Sequence, residues 1–288
     1  MSLIIAKDAK NCNSRKRAAC IFALISGVIC AVIYCLAMAF EFEAASKLFK
    51  RDAVFSTVYE ILCVLSSFAV VIICGFFVPK KSESESLYSD EESDFYFRKD
   101  CAPVKAARYA AAALIFTASL ADFIVIFSNP RGQVLPPVLE IARLLAAFAL
   151  VLYFLPEVSD MIEDFFGKVH LYCGLFGLLW FFFTVLREYF RMDIPIAAHY
   201  RILGHIALIV CMVALLFELK LKTGVHAIKR RLAFLSIGFI LGFSFGFGQI
   251  VMMILGKAPS FSNCASAVIV LAVSCYFGIK LAFYSEEC

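Results

Sequence analysis

The chain has 288 residues, of which 62% are hydrophobic and only 17% are charged, and its mean hydropathy is +0.88. A soluble domain carries roughly 25% charged residues, so this composition excludes an ordinary soluble protein. The formal net charge is only +4, and the basic residues lie between apolar blocks. Such a pattern is typical of membrane topology signals, and we expect no nucleic-acid partner.

The apolar residues are arranged in blocks about twenty residues long, the length an α-helix needs to cross ~30 Å of hydrocarbon. They leave no room for a soluble domain. The sequence therefore predicts an all-α fold, a polytopic membrane helix bundle that forms one membrane domain over residues 18–284. We expect about eight transmembrane helices, near 18–40, 54–78, 104–128, 134–155, 169–188, 198–219, 232–256 and 262–283.

The first apolar block follows a basic tail, residues 1–17, and ends near a possible signal-peptidase site, Ala37-Met38-Ala39. The apolar run before that site is about twice as long as the apolar region of a signal peptide, roughly 7–15 residues. We therefore expect the first span to be retained. Cleavage would instead leave seven helices and an external N-terminus.

Basic residues accumulate in alternate connections, as the positive-inside rule describes for cytoplasmic loops. The tail, the 79–108 connection and the connection into the seventh span carry five, six and five Lys or Arg residues. The connections on the other side carry fewer Lys or Arg residues. The exception to the rule is the 156–168 connection, which falls on the cytoplasmic side but carries only Lys168. The asymmetry predicts that both termini are cytoplasmic, in a plasma or cell membrane.

Two cytoplasmic segments are candidate docking surfaces for a protein partner. Residues 80–101 are acidic and serine-rich, a composition that cannot bury enough apolar surface to fold alone. We interpret them as a solvated loop, with a phosphorylated regulatory segment as the alternative. Residues 157–168 have the apolar stripe of an amphipathic interfacial helix. Because the opposite face of that helix is acidic, a protein is at least as suitable a partner as the lipid surface.

The seventh span reads LAFLSIGFILGFSFGFGQIVMMIL and has glycines at every fourth position, Gly238, Gly242 and Gly246. Residues four apart share a helix face, so these glycines form a groove without side chains. Small residues let helices approach closely in lipid. We expect a helix-packing seam rather than a hinge or ligand groove, and a helix around which the other spans pack. The alanine-rich third span and the fifth span, with Gly174 and Gly177, are expected to fill the groove.

Polar side chains recur at one depth in the outer halves of the spans. Measured at 1.5 Å per residue, all but Arg201 lie ~8–14 Å from the outer ends. Because alternate spans run in opposite directions, the shared depth predicts one polar region. Glu140 and Arg143 stand three apart on one helix face and are expected to pair directly. The candidate ligand-binding residues are Glu60, Asp122, Glu140, Arg143, Arg201, His205 and Gln249.

These polar residues have two interpretations. They could form interhelical ion pairs and hydrogen bonds, each contributing a modest ~0.6 kcal/mol on average. Alternatively they line an outward-facing cavity for a small polar or zwitterionic ligand, since ionisable groups within membranes usually face the bundle interior or water. The leading hypothesis is a transporter or sensor in which His205 titrates near neutral pH and couples binding to protons. A scaffold or accessory subunit is the main alternative, and an intramembrane enzyme is the third.

Motifs for catalysis, metals and cofactors are lacking in the sequence. The twelve cysteines form no C-x-x-C pair, and His199 and His205 are six residues apart, a spacing that does not place two ligands on one helix face. There is no H-E-x-x-H, no G-x-S-x-G and no phosphate-binding loop. Lys280 lies near the inner end of the last span, where we expect it to snorkel to the interface rather than hold retinal. We therefore expect no catalytic residue, metal or cofactor.

Overall fold

A computed structural model describes residues 2–43, 46, 48–50, 52–77, 101–128, 134–155, 166–191, 199–222, 228–257 and 261–283. Residues 80–100 of the acidic loop and 157–165 of the predicted interfacial helix lie outside these described residues. The described part contains eight α-helices: α1 (Ser2–Leu36), α2 (Val54–Ile72), α3 (Ala102–Ser128), α4 (Pro137–Phe154), α5 (Phe166–Phe190), α6 (His199–Lys222), α7 (Ile228–Ile254) and α8 (Phe261–Ala282).

All eight helices are long and apolar enough to cross a membrane, as the hydropathy pattern predicts. Their apolar segments agree with the predicted blocks to within three residues at every end. The largest differences are at three starts, 134 against Pro137, 198 against Arg201 and 232 against Lys229. α1 itself begins earlier, at Ser2, so the predicted basic tail is helical.

Short π-helical turns, a hairpin and a capping carboxylate determine where α1 ends and α2 begins and ends. α1 and α2 each finish in a π-helical turn, Ala37–Glu41 and Ile73–Phe77, and a two-stranded antiparallel hairpin, Phe42–Glu43 with Leu48–Phe49, follows the first turn. The Glu41 carboxylate then accepts hydrogen bonds from the backbone N–H groups of Phe55 and Ser56, both at 2.8 Å. It therefore caps the start of α2 from thirteen residues upstream of that helix.

The C-terminus of α7 is capped at Gly256, two residues beyond the helix, whose φ of +66° is left-handed and favours glycine. The N–H of Gly256 donates to the Met253 carbonyl, and that of Lys257 donates to the Met252 carbonyl. This is the Schellman arrangement that satisfies the last carbonyls of a helix. The Lys257 ammonium then donates to the Ala39 carbonyl at 2.7 Å, so the end of α7 is joined to the end of α1.

Helices α3 to α8 form a closed ring, because each packs against the next in the chain and α8 packs against α3. α1 lies along α7 outside this ring, and α2 packs against α1 and α7. The share of the apolar segment that is buried is highest in α8, at 78%, compared with 56% in α7 and 22% in α2. α7 therefore joins the ring to α1 and α2, while α8 has the more central position.

The three glycines of α7 lie where that helix meets α6 and α8. A Cβ atom at Gly238 would lie 3.2 Å from the Cβ of Ala214, and one at Gly246 would lie 2.9 Å from the Cβ of Leu271. At Gly242 it would lie 2.6 Å from the sulfur of Cys211. The expectation that α3 and α5 fill this groove is wrong. Gly174 of α5 instead faces side chains of α4 and α6.

Arg17 of α1 and the last residues of α8 lie at the same end of the bundle, which we call the terminal end. Arg17 and Leu24 of α1 line one shallow space with Leu281 and Ala282 of α8. At this end the ammonium of Lys229, at the start of α7, donates a hydrogen bond of 3.0 Å to the carbonyl of Gly75 in the π-helical turn that follows α2. The opposite end, which contains the Lys257 contact, is called the distal end.

Candidate functional site

Three of the predicted polar residues join one buried ion-pair network near the distal end. Arg143 of α4 contacts Asp122 of α3 through Nη2 and Oδ2 at 2.5 Å, and it contacts Glu140 through Nε and Oε2 at 2.9 Å. Arg187 of α5 lies 3.3 Å from the other oxygen of Glu140. We call these four residues the distal charge network. Each is at most 6% exposed, and the two carboxylates balance the two guanidinium groups.

Local sequence positions half of this network. Pro137 opens α4, where a missing N–H group is tolerated, and this sets Glu140 and Arg143 on one face of its first two turns. Asp122 and Arg187 come from neighbouring helices whose distal ends reach the same level. The network therefore ties α3, α4 and α5 together.

Three other predicted residues, Arg201, His205 and Gln249, line a cavity between α5, α6, α7 and α8. Its empty space is about 480 Å³ with the open mouth included. About 40 Å³ of it accommodates the centres of water-sized molecules, enough for ~3 waters at ~10–15 Å³ each. The rest of the lining is Thr184, Glu188, Gly204, Leu208, Phe245, Ser266, Ala267 and Val270.

Arg201 holds the wall of the cavity in place. Its Nη2 donates to the backbone carbonyls of Glu188 and Tyr189, the latter at 2.6 Å, where α5 ends. A cation at this position satisfies the last carbonyls of a helix and opposes its dipole. The Glu188 carboxylate accepts a hydrogen bond from Arg191 at 3.2 Å, and its side chain is 20% exposed. An acid and a base therefore share one wall.

His205 has an unsatisfied nitrogen in this cavity. Its Nε2 is buried and has no hydrogen-bond partner among the described residues. Leaving a buried polar atom without a partner costs ~1–3 kcal/mol. A polar molecule that reaches this nitrogen from the cavity would supply the missing partner. Gln249, only 7% exposed, lines the same space from α7.

Glu60 is positioned apart from both groups. It is half-buried on α2, the helix that packs on α1 and α7, and it is not among the residues that line the cavity. Its neighbour Tyr59 hydrogen-bonds to Ser244 of α7 at 2.9 Å. A shared depth along the spans therefore does not bring the seven predicted residues into one site.

A third charged group, which the sequence analysis missed, lies at the terminal end. Glu218 of α6 accepts from Arg231 of α7 at 2.6 Å and from Lys280 of α8 at 2.5 Å. Glu218 is 1% exposed, Arg231 8% and Lys280 7%. The prediction that Lys280 snorkels is thus wrong, because its ammonium is buried in an ion pair. We call these three residues the terminal charge cluster.

The sequence contains a signal for this cluster. Glu218, Arg231 and Lys280 lie near the inner ends of three consecutive predicted spans, so they share one depth in the membrane. A shared depth in the inner halves of the spans indicates a polar region there, as it does in the outer halves. Arg108 was also assigned to a loop, yet it is 4% exposed and donates to the Tyr153 carbonyl at 3.0 Å.

No protein-family model, no curated protein and no solved structure matches this chain. Within the described ranges, no three His, Cys, Asp or Glu side chains gather as a group that could hold a metal ion. The eight apolar helices are compatible with an integral membrane protein. The function is therefore inferred from the residues and geometry of this chain alone.

Proposed function

We propose that this chain is an integral membrane protein that binds a small polar or zwitterionic ligand in the cavity between α5 and α8, as a transporter or a sensor. The observation that carries the proposal is that His205 lines that cavity and that its buried Nε2 lacks a partner among the described residues. Since ionisable side chains are costly inside membranes, those that line a cavity are candidates for ligand contacts.

The chemistry of the wall matches a ligand with both charges. Glu188 would attract an ammonium group, and Arg201 with His205 would attract a carboxylate. Gln249 and Ser266 would add hydrogen bonds from α7 and α8. In this proposal Asp122, Glu140 and Arg143 do not touch the ligand. They hold α3, α4 and α5 behind the wall, because their charges are already paired with one another and with Arg187.

We place the terminal end in the cytoplasm and the distal end outside a plasma or cell membrane, following the distribution of basic residues. The cavity then opens to the outside. A sensor would need an intracellular partner, for which residues 80–101 and 157–168 are the proposed docking segments. A C-terminal epitope tag tests this placement. Antibody access only after cells are permeabilised is expected, and access in intact cells would reverse the orientation.

The ligand proposal is tested by thermal unfolding of the purified protein against amino acids, amines and organic acids. A ligand at a hundred times its Kd adds ~2.7 kcal/mol of stability. We expect one class of compound to raise the midpoint in the wild type but not in His205→Leu or Gln249→Leu. His170→Leu is the matched control, because His170 is also buried, at 3%, but stacks on Tyr153 at 4.8 Å, far from the cavity lining. A shift that survives in His205→Leu and Gln249→Leu would place the ligand elsewhere.

The main alternative is a membrane scaffold or accessory subunit. One observation favours it, namely that every carboxylate of the distal charge network already has a cation within 3.3 Å. A scaffold predicts no midpoint shift with any compound and co-purification of a stoichiometric protein partner. Ligand protection that depends on His205 would exclude this alternative as the sole function.

A further inference from the structure

The interface between α6, α7 and α8 has three levels along its length. The cavity occupies the distal level, with Arg201 and His205 on α6 and Gln249 on α7. The terminal charge cluster occupies the opposite level. The cavity is lined by residues of α6, α7 and α8 as well as α5, and the terminal charge cluster joins the same three helices. The cavity and the cluster therefore face the same interface.

The middle level, which we call the waist, is built on two glycines of α7. Gly242 opposes Cys211 of α6 and Ser274 of α8, and Gly238 opposes Ala214 of α6 and Phe277 of α8. The Cys211 sulfur lies 3.6 Å from the Gly238 carbonyl and 3.8 Å from the Ser274 hydroxyl, and both side chains are 0% exposed. Small residues let helices approach closely in lipid, and opening this level also requires the buried Phe277 ring to move away from Gly238. Polar atoms here gain water when the helices part.

The terminal charge cluster closes this interface below the waist. Glu218 joins α6 to both neighbours, with one carboxylate oxygen for Arg231 and the other for Lys280. Charged groups that are buried in pairs suit a closed state, and the same groups are well solvated when water enters. An apolar plug would gain nothing from hydration. The chemistry of this level therefore fits an element that opens to water.

We propose that the α6–α7–α8 interface is a translocation path and that the terminal charge cluster is the gate at its terminal end. The proposal rests on the ligand-binding function proposed for the cavity and makes the protein a transporter, since a sensor needs no path beneath its site. The structure then corresponds to a state accessible from the distal end and closed at the terminal end. Transport requires the cluster to separate and the waist to open.

The test uses Cys211 as a reporter in the full-length chain reconstituted in vesicles. A membrane-impermeant maleimide is applied at the terminal end, and peptide mass spectrometry follows the alkylation of Cys211. Glu218→Gln is expected to raise the rate by about tenfold, the effect of a ~1.4 kcal/mol shift toward the open gate. Glu140→Gln is the matched control for lost stability, and both variants are assayed well below their melting midpoints so that unfolding does not expose Cys211. Glu140 is likewise 1% exposed and contacts two cations, but it lies outside the path.

Lys280→Gln is the second variant, because it leaves Glu218 paired with Arg231 and keeps that remaining pair neutral. It should fold and still release α8 from α6, with a smaller rise in Cys211 alkylation. Equal alkylation in Glu218→Gln and Glu140→Gln would overturn the gate, as would a Lys280→Gln protein that folds and alkylates like the wild type. Failure of Glu218→Gln and Lys280→Gln to fold, beside a folded Glu140→Gln, would also overturn it by showing a purely structural cluster.

The gate proposal and the ligand-site proposal are refuted by different measurements. The alkylation of Cys211 requires no ligand, so a raised rate together with no ligand-induced midpoint shift would refute the cavity function and leave the path open to water alone. A ligand shift that depends on His205, with Cys211 unchanged in Glu218→Gln, would keep the binding site and remove the gate. That second pattern is the one expected of a sensor.

Discussion

Replacing Glu140 with glutamine should destabilise the bundle far more than the loss of one hydrogen bond. The Glu140 carboxylate lies 2.9 Å from Arg143 and 3.3 Å from Arg187 and is 1% exposed. In the neutral variant Asp122 is the one remaining carboxylate of the network, against the two guanidinium groups of Arg143 and Arg187. One buried positive charge is then uncompensated, a change that costs ~3–5 kcal/mol. An interhelical hydrogen bond in a membrane contributes only ~0.6 kcal/mol on average.

A melting experiment in detergent distinguishes the free-energy cost of an uncompensated buried charge from that of one lost hydrogen bond. A chain of this size loses roughly 2–4 °C of Tm per kcal/mol. The uncompensated charge therefore predicts a fall of ~6–20 °C, and a single lost hydrogen bond predicts ~1–2 °C. A maleimide dye that fluoresces on reaction reports unfolding, because Cys211 and Cys30 are at most 1% exposed when the protein is folded.

The double variant Glu140→Gln, Arg187→Gln checks the cause. It removes one charge of each sign and leaves the 2.5 Å pair of Arg143 with Asp122 intact. We expect most of the lost stability to return, which a double-mutant cycle measures as a coupling energy. A Glu140→Gln protein that melts within ~2 °C of the wild type, or a double variant no more stable than the single one, would refute this account of the network.

Three further predictions concern packing, capping and the first helix. Gly242→Leu should lower Tm strongly because the waist has no room for a side chain. Gly75→Leu should be tolerated, since no residue of the described part of the chain, apart from the neighbouring backbone of Gly75, comes within 4 Å of a Cβ at that position. Glu41→Ala should lower Tm by ~2–4 °C through loss of a cap worth ~1 kcal/mol, and Glu43→Ala, an exposed neighbour, is the control. Intact mass spectrometry should find the uncleaved 32.0 kDa chain, and a mass that lacks the first span would contradict the retention of α1.

Several features of this protein follow from short stretches of sequence. Each apolar block is long enough by itself to cross the membrane, so the eight helices and their bounds can be predicted without tertiary information. The pairing of Glu140 with Arg143 is local in the same sense, because a spacing of three on one helix brings the side chains together. Membrane orientation also follows from local charge counts, and it stays a prediction.

Only the tertiary structure decided which of the polar residues meet. Position along a span determines depth, but the neighbours of a helix depend on packing between residues far apart in the chain. For this reason Glu60 and His205, alike in depth, belong to different helices that each pack against α7, while Arg187 of α5 is buried against Glu140 of α4. The glycine groove was visible in the sequence, yet its occupants, α6 and α8, were not, since small residues permit close approach without specifying a partner.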